Sequence, residues 1–65
     1  MHITVNGKIK DIPDGATCRQ LIDQLQLKGP LALELNKKIC PKNQHVQTIL
    51  HEGDVLEIVT IVGGG

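Results

Sequence analysis

Thr17 stands three residues before Gln20, and Cys18, Leu21, Ile22 and Leu25 follow at i, i+3, i+4 and i+7. This is the spacing of a capping box that opens a single apolar stripe about two turns long, so it predicts one short helix with Thr17 as its N-cap. Lys28-Gly29-Pro30 is its predicted stop, with glycine and proline placed where a helix cannot continue. One stripe of this size can cover one face of one sheet. The remaining apolar residues must therefore be read as strands.

Met1, Ile3 and Val5 alternate with His2 and Thr4 before Asn6-Gly7, the dipeptide best suited to the two positive-φ positions of a type I′ hairpin turn. A return strand anchored by Ile9 and Ile12 is expected, closed by the turn cluster Pro13-Asp14-Gly15. After the helix, Leu31 to Asn36 reads as a third strand, Lys37-Lys38 as a turn, and Ile39-Cys40 as a short stretch ended by Pro41. Residues Lys42 to Leu50 carry a roughly helical spacing at Val46, Ile49 and Leu50 but no cap, which predicts a short helical turn or an irregular crossing. Glu52-Gly53-Asp54 turns the chain into a last strand, Val55 to Val62, whose near-continuous apolar character predicts burial on both faces at the centre of a sheet. The expected fold class is α+β, a mixed sheet of four to five strands covered on one face by a single helix. That order fits a β-grasp in which the last strand runs beside the first.

The sequence then ends on Gly63-Gly64-Gly65. Without side chains these residues can pass through a slot too narrow for any other residue. Extended, they would carry the α-carboxylate about 10 Å beyond the last strand, at ~3.3 to 3.6 Å per residue. The division expected is a domain over residues 1–62 and a flexible tail over 63–65. A terminal glycine run can also be a frayed end, and only the rest of the chain discriminates.

Sixty-five residues make one small domain. Seven basic and seven acidic residues cancel, and Phe, Tyr and Trp are absent, so neither the charge nor the stacking surface of a nucleic-acid binder is present. No apolar stretch approaches the ~20 residues of a membrane span, and the N-terminal residues lack a signal-peptide pattern. A cytoplasmic protein with no nucleic-acid or membrane partner is expected. Cys18 and Cys40 form no C-x-x-C pattern and suit free thiols.

The ordered set Val5-Asn6-Gly7, Ala32 to Asn36 with Ile39-Cys40-Pro41-Lys42, and Glu52-Gly53-Asp54 through Ile58-Val59 to the three glycines resembles the bacterial sulfur carriers of thiamine biosynthesis, which are ubiquitin-like β-grasp proteins. The resemblance covers essentially the whole length. It departs at Cys40, where the family commonly has Val, and at Lys42, where it commonly has Arg.

The resemblance implies that Gly65 carries the chemistry and that Gly63 and Gly64 present it to a partner's active site. An E1-like adenylyltransferase would use ATP and Mg²⁺ to adenylate the Gly65 carboxylate, and a persulfide sulfur donor would convert it to a thiocarboxylate. Thiazole synthase would then take the sulfur. Such a chain binds no cofactor or metal itself and is a co-substrate, not an enzyme. The molybdopterin-synthase small subunit is a related carrier, a ubiquitin-like modifier would instead join Gly65 to a lysine, and a plain interaction module would leave the tail inert.

An ionised carboxylate repels nucleophiles and has no leaving group, which adenylation supplies; docking of a folded domain then holds the acyl carbon in reach. For the docking face, Val5, Leu56, Ile58 and Thr60 are candidates, with core packing the expected role of most of them. Cys18 is expected to pack as a small hydrophobe, with a sulfur-relay role a remote alternative. Cys40 lies beside Pro41 and near Lys37, Lys38 and Lys42, which could lower its pKa, and packing is its expected role because the family position is usually aliphatic. His2, His45 and His51 fall in no metal-ligand spacing.

Overall fold

The computed structural model describes residues 1–61. The elements in chain order are β1 (His2–Val5), β2 (Lys8–Asp11), α1 (Cys18–Gln24), β3 (Leu31–Leu35), β4 (Lys38–Ile39), a 3-10 turn (Lys42–Gln44) and β5 (Val55–Thr60). They form one five-stranded sheet in the order β2-β1-β5-β3-β4. β1 and β5 run parallel, and the other neighbours are antiparallel. The last strand thus lies at the centre beside the first, with α1 crossing one face, as the β-grasp reading expects.

The helix begins as its residues dictate. The Thr17 side chain accepts from the Gln20 N–H at 3.2 Å, and the Gln20 side chain accepts from the Thr17 N–H at 2.9 Å. Cys18, Leu21 and Ile22 are buried and Leu25 is half-buried. It ends earlier than the Lys28-Gly29-Pro30 signal predicts. Gln26 takes a left-handed φ of 58°, its N–H bonds the Asp23 carbonyl, and the Leu27 N–H bonds the Ile22 carbonyl. This is a Schellman cap, with Leu27 folding back onto the core as its apolar closure. The capping bonds outweigh the strain of a non-glycine residue in that conformation.

Ile3, Leu21, Leu33, Leu50 and Leu56 are the largest side chains sealed in the core, around Cys18. Two strand expectations are corrected. Ile9 does not anchor the return strand: it pairs with Thr4 and is 78% exposed, whereas Ile12 is buried. Positions 9 and 12 differ in parity, so a regular strand cannot turn both toward one side. Nor is β5 buried on both faces. Its exposure alternates, with Leu56 and Ile58 buried and Val55, Glu57 and Val59 exposed, because the single helix covers only one side. Residues 42–50 make the irregular crossing expected, tied to the helix start by a bridge between Thr17 and Ile49. Val46 and Ile49 point away from the core and Leu50 into it.

Candidate functional site

The residue expected to carry chemistry, Gly65, lies with Gly63 and Gly64 outside the described residues. What the structure does place is the strand that leads to them. β5 pairs with β3 over five positions, Leu31–Thr60 through Leu35–Leu56, and with β1 at Thr4–Val55 and Val5–Leu56. β1 stops at Val5, leaving β5 to run on without a strand partner on that side. The Asn6 side chain takes over: its Oδ1 accepts from the Ile58 N–H at 2.7 Å, and its Nδ2 donates to the Ile58 carbonyl at 3.0 Å. One amide group thereby reproduces both bonds of a ladder partner. Asn36 grips the other end of the strand, its Oδ1 accepting from the Val55 N–H at 2.9 Å and its Nδ2 donating to Asp54 at 3.1 Å. Both asparagines sit at positive φ, 51° and 52°, which Asn tolerates better than most residues. Beyond the strand, the Ile61 N–H bonds the Pro30 carbonyl at 2.9 Å. The chain is held to that point.

The asparagine clamps were not read from the sequence, where Asn6 signals only its turn. The signal available was an Asn at each of the tight turns that follow β1 and β3.

Most of the docking candidates take the core role expected of them. Leu56 and Ile58 are buried core, Val5 packs partly against that core, and Thr60 is exposed at the end of the same inner row. The outward positions follow from register: His2 and Thr4 on β1, Ile9 and Asp11 on β2, Val55, Glu57 and Val59 on β5, and Ala32, Glu34 and Ile39 on β3 and β4. Ile39 is 67% and Val59 63% exposed, and Ile61 continues this apolar row toward the tail. These apolar side chains are left open to solvent on the side that the helix does not cover.

The polar groups elsewhere offer little chemistry of their own. Burial, and then the neighbouring Cys40, push the Cys18 thiol up to about 12, which favours the protonated thiol over the thiolate in the fold. Cys40 is also buried and free, with its Sγ 3.6 Å from Thr48 Oγ1. His45 is buried with Nε2 2.9 Å from the Cys40 carbonyl oxygen, while His2 lies at the surface near Asp11 and Glu52. Among the described residues no three His, Cys, Asp or Glu side chains gather as a metal site, and no helix is long and apolar enough to cross a membrane. A groove beside the C-terminal end of α1 is lined by Arg19, Asp23, Lys28 and Lys42 among others, with no Ser, Thr or Cys to act as a nucleophile.

Comparison with known proteins gives a consistent answer. The sequence model of the ThiS family matches residues 3–65. The chain is 32% identical over 66 residues to the Escherichia coli (strain K12) sulfur carrier protein ThiS, with all of both chains covered. It is 37% identical over 65 residues to the Bacillus subtilis (strain 168) sulfur carrier protein ThiS, covering 97% of this chain and 98% of that one. It is also 33% identical over 66 residues to a thiazole synthase of Paramagnetospirillum magneticum, where it matches in full but spans only 20% of that relative's length. The crystal structure of the thiamine biosynthesis protein ThiS from Geobacter metallireducens superposes with a TM-score of 0.84 at 26% identity, with both chains fully covered.

Proposed function

The chain belongs to the ThiS family, and on that premise we propose that it is a sulfur carrier of thiamine biosynthesis whose working group is the α-carboxylate of Gly65. The observation that carries this reading is the family match running through to residue 65, on a fold whose central strand is secured as far as Ile61. Gly63 and Gly64 are the reach of the tail, and residues 1–62 are the body that a partner grips.

An E1-like adenylyltransferase uses ATP with Mg²⁺ to convert the carboxylate to an acyl adenylate, releasing pyrophosphate. The terminal sulfur of a persulfide then displaces AMP, and reduction of the acyl disulfide by a thiol leaves the thiocarboxylate. Thiazole synthase is the acceptor. The match to one end use appears in the thiazole synthase relative, which contains a segment similar to this whole chain. No residue of the domain needs to be an acid, base or nucleophile for any of these steps. Its task is positioning, which converts a bimolecular encounter into one with the acyl carbon already in place.

Intact mass measurement after incubation with ATP, a ThiS-activating enzyme and a persulfide source tests the proposal. Exchange of one oxygen for one sulfur is expected, and it should vanish when Gly65 is deleted. Covalent attachment to other proteins would point to a modifier instead, and no change with a demonstrably active enzyme would refute the carrier role.

A further inference from the structure

On the open face, Glu34 of β3 and Glu57 of β5 are direct cross-strand partners. Both are exposed, and like charges placed opposite one another destabilise a sheet. Among the described residues neither carboxylate has an ion pair or a side-chain hydrogen bond to relieve it. Their surroundings are apolar: Val55 and Val59 precede and follow Glu57 on the same side of β5, and Ile39 lies opposite Glu34 on β4.

The charge of this neutral chain is divided by face. Lys8 and Lys10 share the side of Val5 and Ile3, and Lys38 shares that of Leu35. No strand lysine or arginine lies on the outward side.

A protein that covers Val55, Val59 and Ile39 must also take Glu34 and Glu57 out of water. Burying two carboxylates without a counter-charge is strongly unfavourable. We propose that Glu34 and Glu57 form a two-carboxylate seat for an arginine that the activating enzyme presents within an otherwise apolar docking patch. The planar guanidinium has donors enough to bridge both carboxylates, which a lysine ammonium does less well. The pair is strained in the free carrier and satisfied in the complex, so it rejects partners that offer only an apolar surface.

This inference rests on the sulfur-carrier reading, and the test separates the two. ATP–pyrophosphate exchange by the activating enzyme is measured as a function of carrier concentration, for the wild type and for E34Q/E57Q. The expected result is a KM raised about tenfold with kcat unchanged, and a flatter dependence of KM on salt than the wild type shows. Thermal unfolding provides the control, because relief of the like-charge pair should leave the midpoint unchanged or higher. A purely structural role would move stability and KM together. Unchanged KM, or a rise that tracks a loss of stability, overturns the arginine seat while leaving the carrier function standing. Failure of the wild type to support exchange, with an enzyme that activates another ThiS protein, removes the carrier reading and this inference with it.

Discussion

The two faces of the sheet draw on the same kinds of residue and do opposite work with them. On the inner face Ile3, Leu33, Leu56 and Ile58 close against Cys18, Leu21 and Ile22 of the helix, and the lysines of the edge strands fringe them. On the outer face Val55, Val59, Ile39 and Ile9 are just as apolar but open to solvent, interrupted by carboxylates. Strand β5 supplies both sides, with Leu56 fully buried and Val59 63% exposed three residues later. Apolar character therefore does not distinguish the buried face from the open one here. What distinguishes them is which side the helix occupies.

The sharpest test of that contrast is truncation on each side. Leu56→Ala should lower the free energy of unfolding by about 2–5 kcal/mol, a large part of what so small a domain possesses, whereas Val59→Ala should change it by no more than about 0.5 kcal/mol. Urea denaturation measures both, and equal losses would erase the distinction between the faces. Val59→Asp should leave the unfolding midpoint in place yet raise the activating enzyme's KM by roughly tenfold; unaltered kinetics would remove the outer face from docking.

The strand common to both faces can be loosened without touching either. Asn6→Gly keeps the positive φ but deletes both side-chain bonds to Ile58, and should cost about 1–2 kcal/mol while speeding hydrogen exchange of the Ile58 amide. Slow exchange in that variant would show the clamp to be dispensable. A smaller effect of opposite sign is expected on the helix side, where Gln26→Gly relieves the left-handed strain of the cap and should stabilise by about 0.5–1 kcal/mol in the same denaturation assay.

The smallest effect at neutral pH belongs to Cys18. Its thiol rises from the usual 9.0 to about 12 in the fold, so above pH 9 the unfolded chain releases a proton that the native state keeps. Stability is then fully present below about 9 and falls as pH rises toward about 12. Cys18→Ala should flatten that fall, and an identical slope in both proteins would show that the buried thiol does not cause it.

Much of the fold was legible because its determinants are local. The Thr17–Gln20 box, the Asn6-Gly7 turn and the Pro13-Asp14-Gly15 turn each act within a few residues, and all stand where the residues place them. The helix end was misplaced because Gln26 takes a conformation that glycine would have advertised. Strand β5 was misjudged for a different reason: a continuous apolar run satisfies burial on one face or on both, and only the number of covering layers decides. Leu56 and Ile58, weighed as docking candidates with core packing their expected role, are core. The tail of three glycines was legible as composition, and the role proposed for it rests on the resemblance to the family.

The amino-acid sequence by itself determined a small α+β domain with one capped helix, a neutral charge, a last strand leading into three glycines, and membership of a family of sulfur carriers. Tertiary structure decided what depends on residues distant along the chain. Asn6 completes the ladder of a strand 52 positions away, and Glu34 comes to face Glu57 because β3 and β5 pair in one register and no other. Periodicity fixes which residues share a side, but sheet order and register, set by packing against the single helix, fix which side meets water and what stands opposite.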